Sequence, residues 1–78
     1  MNLQLRQEDA RYRVLRKLRQ CRGQRAYAES LLDCLPGESA TPRKLHNTCT
    51  SLFQHHLVEK VRGMYQLTSD GLKMLERA

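Results

Sequence analysis

Apolar residues recur at helical spacing in several stretches of the chain and at strand-like spacing in one. Between residues 8 and 22, Val14, Leu15, Leu18 and Cys21 fall at i, i+1, i+4 and i+7, which is one face of a 3.6-residue period and predicts a first helix. Glu8 and Asp9 belong to its first turn, where negative charge suits the helix dipole, and Gly23 can end it. A second helix is expected from Ala26 to Leu35, with Tyr27, Ala28, Leu31, Leu32 and Leu35 inward and Glu29 and Asp33 in solvent. Pro36-Gly37 stops it and opens a turn through Ala40.

The third helix has the clearest start signal. Thr41 is a good N-cap, and Pro42 sits at the first helical position, where its missing N–H costs nothing. Leu45, Cys49, Leu52 and Phe53 form its expected buried stripe, with Thr48 and His56 at the edges. Leu57–Val61 and Met64–Leu67 then read as two short strands around Arg62-Gly63. Gly63 supplies the positive φ of a tight hairpin, most simply as the bulge residue after a type I turn. Val58, Tyr65 and Leu67 point inward, and Thr68 caps a last helix through Leu72 and Leu75. The fold class that follows is mostly α with a small β-hairpin, a winged helix-turn-helix, as a single domain over residues 1–78.

Charge changes this picture from a fold to a kind of partner. The 78 residues carry 14 Lys and Arg against 8 Asp and Glu, for a net charge of +6. A basic domain attracts polyanions, of which nucleic acid is the commonest. The stretch 11–25 alone holds half of the basic residues, Arg13, Arg16, Lys17 and Arg19 among them, and no acid. No apolar run is long enough to span a bilayer, and Met1-Asn2-Leu3-Gln4-Leu5-Arg6 lacks the apolar stretch of a secretory signal. A cytoplasmic location is therefore expected, with Cys21, Cys34 and Cys49 as reduced thiols packed like small hydrophobes.

The polar face of the third helix narrows the partner further. At 100° per residue, Arg43, Asn47, Thr50 and Gln54 line up opposite the buried stripe. These are the groups that major-groove readout requires. Arg makes two bonds to guanine, Asn or Gln two bonds to adenine, and Thr meets a thymine methyl. The stripe has no carboxylate to repel phosphate, whereas a merely solvated helix face usually mixes Glu and Lys. Lys44, His46 and Ser51 flank it, and Lys60 and Arg62 at the hairpin suit a phosphate or a minor groove.

The run from Leu52 to Leu75, with His56-Leu57-Val58 and then Tyr65-Gln66-Leu67-Thr68-Ser69-Asp70-Gly71, resembles the second half of winged-helix repressors of the multiple-antibiotic-resistance and arsenic-responsive kinds. In those families the recognition helix commonly ends in a Gly-Leu-Val-like step and the hairpin closes with Tyr-x-Leu-Thr-x-x-Gly. The resemblance spans about residues 11 to 75 and implies a DNA-binding transcriptional regulator. This chain departs from the pattern in a very short wing and in His56 standing where Gly is usual. It also lacks the long dimerisation helices and an evident effector pocket, so neither dimerisation nor ligand response follows from the resemblance.

Other chemistries fit the sequence less well. His46 and Cys49 share a helical face with His55-His56 one turn on, but no Cys-x-x-Cys pair accompanies them, so no metal is expected. Ser30, Asp33 and His46 lie in no recognisable nucleophile turn, and no glycine loop cradles a phosphate. Neither an enzyme nor a cofactor is expected. The expected partners are double-stranded DNA in the nucleoid and a second copy of the chain, since a small core favours a homodimer. The competing reading is a winged-helix module that docks an acidic protein, using Tyr12, Arg16 and Arg19 on the first helix as partner or dimer surface.

Overall fold

A computed structural model describes residues 5, 6 and 8–77; the segment Met1 to Gln4, part of the leader reading and of the 1–78 span, lies outside them. The chain is a small α+β protein. Its order is α1 (Ala10–Gln20), β1 (Arg25–Ala26), α2 (Ala28–Leu31), α3 (Pro42–Gln54), β2 (Val58–Val61), β3 (Met64–Leu67) and α4 (Ser69–Arg77). Three 3-10 turns, Arg22–Gln24, Leu32–Cys34 and Gly37–Ser39, punctuate the first half.

The sheet has three antiparallel strands in the order β1-β3-β2, one more than the hairpin expected from sequence. Ala26 pairs with Tyr65 and Arg25 with Gln66, so Ala26 and Tyr27 are not the first turn of a helix. The second edge of β3 carries backbone groups that need partners, and this pairing supplies them. A two-residue strand has no periodicity to read. In consequence α2 is a single short α-helical stretch continued by a 3-10 turn, not a helix from Ala26 to Leu35. Tyr27, expected inward, is 53% exposed because it sits in the extended link before α2.

α1 is also shorter than its pattern suggests. Asp9 is its N-cap, with extended backbone and a carboxylate accepting from the Arg11 N–H, so the acids precede the first turn instead of lying in it. Cys21 ends the helix, and Gly23, at φ +73°, belongs to the turn beyond. In α3, by contrast, Thr41 and Pro42 stand where the cap and first-turn signals place them, and the Thr41 hydroxyl accepts from the Lys44 N–H at 3.2 Å.

The core gathers Val14, Leu15 and Leu18 of α1, Leu31 and Leu35, Leu45, Cys49 and Leu52 of α3, and Leu57, Val58, Tyr65, Leu67 and Leu75, with Leu5 from the leading segment. Thr48 is buried too, its hydroxyl donating to the Lys44 carbonyl at 2.8 Å. Phe53 is not in this core. It is 50% exposed, because one step of about 100° around the helix turns it from the buried Leu52 toward solvent.

The turn Arg62-Gly63 has positive φ at both residues, +53° and +82°, and Val61 pairs directly with Met64. That is the two-residue loop of a type I′ turn, which matches the strand twist, and not a type I turn with a bulge. Among the described residues no helix is long and apolar enough to cross a membrane.

Candidate nucleic-acid interface

α3 is held at both ends. Its C-terminal end closes with the His56 N–H donating to the Phe53 carbonyl at 3.1 Å and the Leu57 N–H to the Leu52 carbonyl at 3.0 Å. His56 takes φ +60°, the left-handed position that glycine usually fills in this closing motif. The turn therefore does not differ from that of a glycine; His56 adopts it at some cost. Thr68 then locks the corner: its hydroxyl donates to the His56 carbonyl at 2.8 Å and accepts from the Gly71 N–H at 3.0 Å. A Cβ at Gly71 would collide with the Leu57 carbonyl oxygen, so α4 reaches this corner only because residue 71 has no side chain.

Of the four expected base-reading residues, Arg43, Asn47 and Gln54 are exposed and Thr50 is half-buried. All four lie within about 60° of arc on the helix. Lys44 and His46 are exposed on either side of them. No Asp or Glu lies anywhere on α3. Phe53, missed by sequence because it follows directly on a buried position, adds an apolar ring to one edge of the face, next to His46 and Thr50 by helical angle.

The structure joins the start of α1 to this face, which the sequence did not reveal. Arg11 lies in a basic run with six other cations, and nothing in the spacing singles it out. It donates from Nε to Asp9 Oδ1 at 3.2 Å and from Nη2 to Asp9 Oδ2 at 2.9 Å, a fork on a carboxylate. Its Nη1 reaches across to Ser51 Oγ at 3.4 Å. Hydrogen bonding to Arg11 holds the Asp9 carboxyl below its usual range, and the same contact raises the guanidinium above its own. Between these two helices lies a cleft of about 460 Å³, lined by Asp9, Ala10, Arg11, Lys44, Asn47, Thr48 and Ser51.

The hairpin residues separate. Arg62 stands exposed at the tip, whereas Lys60 lies back along β2 with its ammonium 5.2 Å from the Tyr65 ring centroid. The proposed partner surface on α1 divides as well. Arg16 and Arg19 are exposed, but Tyr12 is half-buried against the core instead of standing among the arginines.

The three cysteines are free thiols, Cys49 buried and the others half-buried. Burial pushes the Cys49 thiol up to about 11, with the nearby Cys34 adding to the effect, so it packs as a neutral hydrophobe. Among the described residues no three His, Cys, Asp or Glu side chains gather where they could hold a metal ion. No protein-family model, curated protein or solved structure matches this chain.

Proposed function

We propose that this protein is a winged-helix regulator that binds double-stranded DNA, with α3 in the major groove. The observation that carries this reading is the outward face of α3. It presents Arg43, Asn47 and Gln54 to solvent without a carboxylate, on a helix fixed at both ends. Guanidinium and carboxamides presented by a fixed helix discriminate bases, while a merely basic surface does not. The order helix, strand, helix, helix, strand, strand, helix, with β1 beside β3, supports a winged-helix reading of the α+β fold. Arg62 at the hairpin tip and Lys44 beside the reading stripe then meet phosphates, and His46 and Ser51 border the same groove. Repression in the cytoplasm is the mode of action implied by the repressor resemblance, and a homodimer is the form in which two half-sites act together.

The competing reading, a winged-helix module that docks an acidic protein, is favoured by two other observations. Tyr27 and Phe53 are both about half exposed, and an apolar cleft of about 250 Å³ opens between α2, α3 and Tyr65. Fluorescence anisotropy with a labelled random duplex separates the two. DNA binding predicts saturable binding at low salt whose log K falls linearly with log salt, as condensed counterions are released. Absence of binding at low salt overturns the DNA reading and leaves the protein-docking one.

A further inference from the structure

The cleft between the start of α1 and α3 brings together donors from two separate elements. Asp9 engages Arg11 twice through the side chain and once, at 2.9 Å, through the backbone N–H. That grip fixes the guanidinium plane and leaves Nη1 directed at α3, beside Ser51 Oγ. Lys44 lies two turns before Ser51 on the same side of α3, and Asn47 lines the cleft between them. The wall thus carries a guanidinium nitrogen, an ammonium, a carboxamide and a hydroxyl. Its one carboxylate, Asp9, is already bound to Arg11, so two cations face one anion.

A helix in a major groove is flanked on both sides by phosphate strands, and cations at its edges meet those phosphates. Lys44 and Ser51 form such an edge, about 40–60° from Asn47 around α3. Arg11 extends that edge onto a second helix. Because Asp9 already orders its side chain, little further entropy is lost when an anion docks. We infer that this cleft seats a backbone phosphate of duplex DNA, gripped by Arg11, Lys44 and Ser51, so that Arg11 fixes the register of α3 in the groove. The inference rests on the DNA-binding reading above and adds α1 to its contact surface.

The test compares wild type, Arg11→Ala and Arg22→Ala on random duplex across a salt series, with thermal melts to confirm that each variant is folded. Arg22 is the control, an exposed arginine in the turn at the far end of α1, outside the cleft. Arg11→Ala is expected to weaken binding several-fold on all sequences alike and to reduce the salt slope by about 0.9, the share of one phosphate contact. Arg22→Ala should do neither. If the two variants behave alike while wild type binds, the phosphate seat is wrong and the α3 reading stands. If wild type does not bind duplex at all, both fall.

A second measurement needs no variant. In wild-type protein the Arg11 Nε–H resonance should shift on titration with duplex and the Arg22 one should not. An unmoved Arg11 signal at saturating duplex also overturns the seat. The same titration with inorganic phosphate distinguishes the source of the anion. A shift that saturates with phosphate alone at ordinary buffer concentrations would reassign the cleft to a free anion, whereas the backbone assignment predicts a shift with duplex only.

Discussion

α1 and α3 pack on the same core, and each buries a complete stripe: Val14, Leu15 and Leu18 on one, Leu45, Cys49 and Leu52 on the other. Each starts on a side-chain cap, Asp9 or Thr41. They differ at the far end and on the outward face. α1 runs out into a 3-10 turn after Cys21, whereas α3 is closed by His56 and Leu57 and clamped by Thr68. Outside, α1 carries the exposed Arg16 and Arg19, with Arg13 and Lys17 half-buried, while α3 mixes Arg43 and Lys44 with Asn47 and Gln54. Guanidinium groups on a solvated helix attract any polyanion; carboxamides on a fixed helix can tell one base from another. The more basic helix is thus the weaker candidate for the reader.

The comparison breaks first if the inward faces are not equivalent. Leu18→Ala and Leu52→Ala, both fully buried, are each expected to cost about 2–5 kcal/mol in urea unfolding. Phe53→Ala, next along the chain from Leu52 but half exposed, is expected to cost under about 1 kcal/mol. Equal losses at residues 52 and 53 would place Phe53 in the core and remove it from the outward face.

The clamp on α3 comes next. Gly71→Ala drives a methyl into the Leu57 carbonyl and is expected to destabilise by about 1–3 kcal/mol. If α4 merely shifts without loss of stability, the end of α3 is less firmly held than described. His56→Gly probes the same corner with the opposite sign. Glycine takes the left-handed backbone freely, and a gain of a few tenths to about 1 kcal/mol is expected after its larger unfolded-state entropy is subtracted. A loss of stability would mean that the imidazole contributes more than the backbone costs.

The smallest effect concerns the start of α1. Asp9 ionises more readily in the folded chain than in the unfolded one, because of its hydrogen bonds with Arg11. Its stabilising contribution is therefore complete above the ordinary aspartate value of 3.8 and is lost as pH falls through the lowered folded value. Each side chain is 27% exposed, so screening holds this contribution below about 1 kcal/mol. The stability gap between wild type and Asp9→Asn should narrow as pH drops below 3.8. A gap that widens on acidification contradicts the pairing.

Legibility in the sequence follows the same division. α3 was readable because Thr41, Pro42 and a strict apolar period act locally, within one turn of chain. The two hairpin strands and the Thr68 cap were readable for the same reason, and Gly71 through its place in the closing motif, but the turn type was not, because Arg62 takes a positive φ that its residue type does not announce. β1 was not, because its two residues are set by pairing with β3, forty residues away in sequence. That one pairing moved Tyr27 outward and shortened α2. The Arg11–Ser51 contact was invisible on similar grounds, since it depends on how two helices cross and not on either helix alone. Of the four α3 side chains expected outward, Arg43, Asn47 and Gln54 are exposed and Thr50 is half-buried.

The central claim is that the outward face of α3 reads sequence, and Asn47 at its centre tests this most directly. Once a preferred duplex has been selected from random sequence, binding of wild type and Asn47→Ala is compared on that duplex and on a scrambled one. Asn47→Ala is expected to lose about 1–3 kcal/mol on the preferred site and almost nothing on the scrambled one, with an unchanged melting temperature. A folded Asn47→Ala protein that keeps its full preference for the selected duplex would contradict the assignment of α3 as the reader.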